Sequence, residues 1–204
     1  MCGHPKHQRS ELTREYVYLL GLYLGDGCIS AHRRGVYRLR VFLDLAYPMI
    51  IEECVAAMTA VVPTSRVNTL ERISTFTPSD VPSHVEVSSF SKAWPCLIPQ
   101  HGPGKKHDRP IVLKDWQLQL VDRWPEPLLR GLIHSDGCRF MNTGRGNWRC
   151  PRYAFSNKSA DIKDIFCYGC EQVGVHWTSA GKKNIYVSRK ADVAKLDEFI
   201  GPKG

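Results

Sequence analysis

The sequence predicts an α+β protein built from two pseudo-symmetric αββαββα repeats with antiparallel sheets, and three observations carry that reading. One apolar pattern occurs twice, as Leu19-Leu20-Gly21-Leu22-Tyr23-Leu24-Gly25-Asp26-Gly27-Cys28 and as Leu129-Arg130-Gly131-Leu132-Ile133-His134-Ser135-Asp136-Gly137-Cys138. Each copy is followed by a basic loop and an alternating strand. Each half closes on a matched loop, Gly102-Pro103-Gly104-Lys105 and Gly201-Pro202-Lys203. The repeats are expected at residues 1–124, which include a linking helix, and 125–204.

In the first repeat, Leu12, Tyr16, Leu19, Leu20 and Tyr23 follow helical spacing up to Gly27. Small residues four apart, Gly21 and Gly25 in one motif and Gly131 and Ser135 in the other, let two helix backbones approach closely. The two motif helices are therefore expected side by side, with Asp26 and Asp136 near one another. Gly27 and Gly137 are expected to end them in the left-handed conformation. Both carboxylates then sit at helix C-termini, where the dipole favours cations, and the repeat predicts a metal site.

After a basic loop with Arg33 and Arg34, residues 36–45 alternate. Tyr37, Leu39, Val41 and Leu43 lie on one face, and Arg38, Arg40, Phe42 and Asp44 on the other. Residues 48–61 read as a helix with proline at a tolerated early position and a stripe of Ile51, Val55 and Met58. Residues 66–74 and 84–89 read as a hairpin pair across a loop holding Pro78 and Pro82. A short element at 94–98 and a linking helix at 114–124 lead to Pro125 and Pro127, which open the second motif helix. The second repeat replays this order: a basic loop with Arg139, Arg145 and Arg149, then a strand with Tyr153 and Phe155 inward and Arg152 and Ser156 outward. A helix at 159–173 carries Ile162, Ile165 and Phe166, a hairpin at 175–188 turns through Gly181, and a last helix spans 191–200.

Composition bounds the partner. In 204 residues, 28 Lys and Arg stand against 20 Asp and Glu, a net charge of +8, and that excess points to a polyanion. No apolar run approaches the roughly 20 residues of a membrane span and no signal sequence opens the chain. An intracellular globular protein, in cytoplasm, nucleoid or organelle, is expected, with no membrane partner. The eight cysteines read as reduced core thiols, Cys28 and Cys138 being small buried hydrophobes at equivalent positions. Cys167 and Cys170 have zinc-ligand spacing, which Cys150 and His176 would complete; the pair lies inside an amphipathic helical pattern without a second matched pair.

The duplicated motif resembles the signature of the LAGLIDADG homing endonucleases, of the two-motif, single-chain type. The nine-letter signature maps onto residues 19–27 and 129–137 with the acid in eighth place both times. Tyr23-Leu24 and His134-Ser135 depart from the usual letters at variable positions. The resemblance implies a saddle of antiparallel sheets that binds DNA, and site-specific hydrolysis of both strands of a duplex. It also implies that the backbone carbonyls of Gly25 and Ser135 join the metal, and that Lys105 or Lys106 and Lys203 act as the peripheral cations. Asp44 and Ser156, read as equivalent strand ends, would position water.

Phosphodiester hydrolysis needs a nucleophilic water and relief of charge on the leaving oxygen, which divalent metals supply. Magnesium keeps several waters, so Asp26, Asp136 and substrate phosphate suffice to hold it; manganese is expected to substitute, and calcium to bind without efficient turnover. For the duplex, the arginines Arg33, Arg34, Arg38, Arg40, Arg66, Arg72, Arg139, Arg145, Arg149 and Arg152 are the candidate contacts, extended by Lys158, Lys182, Lys183 and Asn184. Both motifs in one chain predict a monomer with no obligate protein partner and a long, asymmetric target. The alternative is a non-cleaving, sequence-specific DNA-binding transcriptional regulator on the same fold.

Overall fold

The computed structural model describes residues 12–73, 81–144 and 149–201. The first motif becomes α1, Arg14–Asp26, which runs without a break into β1, Gly27–Ala31. After a short 3-10 turn come β2 (Tyr37–Asp44), α2 (Pro48–Val61), β3 (Val67–Arg72) and β4 (His84–Ser91). A single turn of helix, α3 (Trp94–Leu97), and α4 (Asp115–Arg123) lead to the second motif helix, α5 (Pro125–Asp136). It continues into β5 (Gly137–Thr143), β6 (Arg149–Ser156), α6 (Ala160–Gln172), β7 (Thr178–Ala180), β8 (Asn184–Val187) and α7 (Lys190–Ile200). Each repeat forms one four-stranded antiparallel sheet, in the orders β1-β2-β4-β3 and β5-β6-β8-β7.

The core is organised on the α1/α5 crossing. Both helices are buried almost all round, α1 from Tyr16 to Leu24, so they are the centre of the molecule rather than amphipathic surface helices. The crossing is possible because of the glycines. A methyl on Gly21 would stand 2.6 Å from the Leu128 carbonyl oxygen and 3.0 Å from the Gly131 Cα. A methyl on Gly131 would meet Gly21 Cα at 3.0 Å in turn. His134, the departure within the second motif, is only 4% exposed. Its Nε2 donates to the Ile200 carbonyl at 3.1 Å and its Nδ1 accepts from the Tyr18 hydroxyl at 2.9 Å, so the buried ring is satisfied at both nitrogens.

Several expectations are corrected. Gly27 and Gly137 are not left-handed caps: their φ values are −92° and −112°, both extended. Glycine is required there for space, since a methyl on Gly27 would lie 2.5 Å from the Tyr23 Cα and one on Gly137 2.7 Å from the Ile133 Cα. The helix thus turns straight into a strand, and β1 and β5 occupy positions read as basic loop. The stripe of α2 is shifted by one residue, burying Ile50, Cys54, Ala57 and Met58 while Ile51 and Val55 are partly covered. Cys28 is half-buried and Cys138 exposed, and Cys96 is disulfide-bonded rather than reduced. Among the described residues no group of three or more His, Cys, Asp or Glu is placed to hold a metal ion, so the described Cys150, Cys167, Cys170 and His176 form no zinc set. Cys167 and Cys170 are buried core on α6. No helix among the described residues is long and apolar enough to cross a membrane.

Candidate active site and nucleic-acid interface

Because α1 and α5 cross at small residues and end at equivalent points, their Asp-Gly ends meet. A methyl on Gly25 would stand 3.1 Å from Asp136 Oδ2, so the carboxylate of the second motif lies over the backbone of the first, one residue from Asp26. The Ser135 hydroxyl turns back to donate to the carbonyls of Gly131 and Leu132, each at 3.0 Å, so its proton is engaged within α5. A cleft of about 450 Å³ opens here. Lys105, Lys106, Asp136, Ser156 and Lys158 line it.

Lys106 is the cation this cleft is built around. Its ammonium donates to the carbonyls of Tyr23, Gly25 and Gly27 at 2.5, 2.6 and 3.0 Å, and lies 5.1 Å from the Tyr23 ring centre. These carbonyls lie where α1 passes into β1, Tyr23 also accepting from the Gly27 backbone N–H, and the helix dipole attracts positive charge there. Burial pulls its pKa down from 10.5 to about 8, while the charges of Asp136 and then Asp26 oppose that fall. Of the two lysines left open by the sequence, Lys106 rather than Lys105 reaches the motif backbone. Lys203 lies outside the described residues, as does Arg145.

Two further residues belong to the site that sequence reasoning missed. Asn157 donates its amide to Asp136 Oδ2 at 2.5 Å and accepts from the Ser159 backbone at 2.8 Å, fixing the acid to the end of β6. Arg109 also lines the cleft. The visible signal for Asn157 was its place one step beyond the strand end, next to the Ser156 already named. Asp44 and Ser156 each end their strand and pair with the first residue of the next, His84 and Asn184, but counted from the motif glycines they are two residues out of step, since Gly27 pairs with Val41 and Gly137 with Phe155. Asp44 is outside the cleft and accepts from the Ala46 backbone at 2.9 Å, capping the turn into α2. The Ser156 hydroxyl donates to Asn184 Oδ1 at 2.6 Å.

The sheet registers sort the candidate DNA contacts by face, since directly paired residues share a face and successive residues alternate. Leu39, Val41 and Leu43 are buried against the helices, so Arg38, Arg40 and Phe42 are on the open face, with Asn68, Leu70 and Arg72 of β3 beside them through β4. In the second sheet, Tyr153 and Phe155 face the helices, and Arg152, Ser156 and Asn184 are on the open side. Arg139 and Arg149 depart from the expectation. Arg139 pairs with Tyr153 across the strands, and its guanidinium bonds Asp197 of α7 at 2.7 and 2.8 Å, on the helix side. Arg149 shares the parity of Tyr153 and not of Arg152. Arg33 and Arg34 are exposed in the turn between β1 and β2, Arg66 is exposed before β3, and Lys182 and Lys183 form the β7–β8 turn.

No protein-family model matches the chain, and no curated protein matches it in sequence. Solved structures do match. A variant of I-DmoI in complex with its nicked target DNA and manganese superposes with a TM-score of 0.58 at 14% identity, over 92% of this chain and 95% of that one. The homing endonuclease I-WcaI bound to its DNA recognition sequence gives 0.58 at 15% identity, over 100% of this chain and 91% of that one. The N-terminal LAGLIDADG domain of WhiA gives 0.50 at 11% identity, over 98% and 92%. The chain has the LAGLIDADG homing endonuclease fold: two pseudo-repeated halves, each a four-stranded antiparallel sheet with flanking helices.

Proposed function

We propose that this protein is a divalent-metal-dependent endonuclease that hydrolyses both strands of double-stranded DNA at a specific site, with Asp26 and Asp136 as its composite acidic centre. The observation that carries the reading is the helix crossing. Gly21 packs on Gly131 and Gly25 on Ser135 so closely that Gly25, Gly27 and Asp136 line one cleft, with Asp26 between the two glycines in the chain. One acid per repeat, from residues 1–124 and 125–204, matches one scissile phosphate per strand.

The donors fit a hard cation. Two carboxylates and the carbonyls of Gly25 and Ser135 offer oxygen only, which suits magnesium with its retained waters. Such an ion would supply Lewis-acid charge relief and an activated water; manganese would substitute, and calcium would bind without efficient turnover. The remaining work belongs to the chain. Asn157 holds the Asp136 carboxylate in orientation. Lys106, with a pKa of about 8, is protonated at neutral pH and offsets charge developing on the phosphate. Lys105 and Lys158 line the same cleft, and Ser156 orients water at its edge. Lys203 is assigned the same role as Lys106 by its place in the repeat. The open sheet faces form the saddle for the duplex, and since their outward residues differ, the target is long and asymmetric. With both acids in one chain, a monomer without an obligate protein partner is sufficient.

One observation favours a second reading, a non-cleaving DNA-binding transcriptional regulator: the Lys106 ammonium already occupies the Gly25 carbonyl. A single experiment separates the two. The protein is incubated with a library of duplex sites and magnesium, and both bound and cut molecules are sequenced. Cleavage of a selected site, abolished in Asp26→Asn and in Asp136→Asn while binding survives, is the expected result. Selective binding with no cut by the wild type supports the regulator, and full cutting by the double variant refutes the composite centre.

A further inference from the structure

An acidic residue stands in the middle of the open face of the first sheet, where the electrostatics of a DNA-binding surface disfavour it. Glu86 pairs with Phe42 on one neighbouring strand and with Leu70 on the other, and is only 2% exposed. Its carboxylate is held from both sides. Arg38 Nη2 donates to Oε1 and also to the Ser88 hydroxyl at 3.2 Å. Arg72 donates to Oε2 through Nε at 3.3 Å and Nη2 at 3.0 Å. The Arg38 guanidinium further lies 5.2 Å from the centre of the Phe90 ring. A buried carboxylate is costly unless fully paired, so this triad has a defined geometry rather than the mobility of surface arginines.

We propose that Glu86 is a positioning residue that makes Arg72 a reader of guanine in duplex DNA. The proposal rests on the DNA-binding reading given above. Glu86 accepts from the Nε edge of Arg72, and among the described residues no bond takes the end-on pair of N–H groups, one from each terminal nitrogen; that pair matches the O6 and N7 acceptors of guanine in the major groove. The Arg72 side chain keeps 44% of its surface exposed, against 27% for Arg38. Arg38 spends its Nη2 on Glu86 and Ser88 and so acts as the second clamp on the carboxylate. Leu70, half-exposed across from Glu86, adds an apolar contact of the kind that meets a thymine methyl. Without the carboxylate, both guanidinium groups swing freely, and a mobile arginine neutralises any phosphate while selecting no base.

The test is site selection from a randomised duplex pool by wild type, Glu86→Gln and Arg72→Lys, with calcium present to hold binding apart from cleavage. For the wild type, one position of the selected site should show a guanine preference of about 5- to 150-fold. Arg72→Lys, which retains charge and loses the fork, should erase that preference at that position alone. Glu86→Gln, isosteric and one negative charge poorer, should erase it at the same position while affinity for random duplex rises and its salt dependence steepens. Melting curves within a few degrees of wild type confirm that the sheet is intact; if Glu86→Gln does not fold, Glu86→Asp, which keeps the charge and withdraws the carboxylate from the two arginines, carries the test and should erase the same preference. Preference retained in Glu86→Gln, lost at a different position, or lost at every position overturns the proposal while leaving DNA binding intact. A wild type that selects no duplex overturns both this proposal and the function on which it rests.

Discussion

Replacing Gly21 by Ala should loosen the crossing on which the composite centre depends. In an exposed helix this exchange gains about 1 kcal/mol of helix propensity. At this position the added methyl would stand 2.6 Å from the Leu128 carbonyl oxygen, 2.9 Å from the Leu132 nitrogen and 3.0 Å from the Gly131 Cα. All three are backbone atoms, so no change of rotamer relieves the contact. Ordinary packing needs about 3.5 Å or more, and α5 has to retreat by roughly 0.5–1 Å. Overpacking of this kind costs about 1–3 kcal/mol, which lowers Tm by roughly 2–12 °C in a chain of this size. The effect on cleavage should be larger. Asp26 and Asp136 ride on the ends of the two helices, and a displacement near 1 Å costs on the order of 100-fold in rate. Calorimetry and single-turnover cleavage of the cognate site give both numbers. Unchanged melting and full cleavage in Gly21→Ala would show that the helices do not touch backbone to backbone.

Lys106→Met should lower single-turnover cleavage by about 100- to 1000-fold with less than a tenfold change in duplex binding; equal losses in both would make Lys106 a DNA contact only. Arg130 bonds Glu53 at 3.0 and 2.5 Å and the carbonyls of Phe199 and Ile200 at the end of α7 at 2.5 and 2.6 Å, so Arg130→Met should cost about 2 kcal/mol in urea unfolding. Burial raises the Glu53 pKa, but the Arg130 hydrogen bonds and charge outweigh it and hold the carboxyl below its ordinary 4.5. Its contribution is therefore present above pH 4.5 and lost as pH falls through the lowered value, and Arg130→Met should flatten that acid limb of the stability curve. Arg40 lies on the open face with its Nε buried and unpartnered among the described residues. Arg40→Ala should reduce the slope of log affinity against log salt by about 0.9, the loss of one phosphate contact; Arg139→Ala, on the opposite face, should leave the slope unchanged.

The sequence by itself determined the duplication, the fold class and the two acids. Those features are local and periodic: small residues four apart, an Asp-Gly end, and strands whose alternation separates Arg38 and Arg40 from Leu39 and Val41. Only the tertiary structure decided which face each remaining side chain occupies. A one-residue difference in parity flips a strand residue across the sheet, which is why Arg139, read as a DNA contact, turns to Asp197 of α7. The register also separated Asp44 from Ser156, because the second hairpin places Phe155, and not Tyr153, opposite its motif glycine. Lys106 was named from its loop. Its three carbonyl partners became visible only when some eighty intervening residues had folded back onto the end of α1. Glu86 carried no sequence signal, and Asn157 only its place one step beyond Ser156 at the strand end. A lone amide or a lone acid acquires its meaning from what packs beside it, here Asp136 in one case and two arginines in the other.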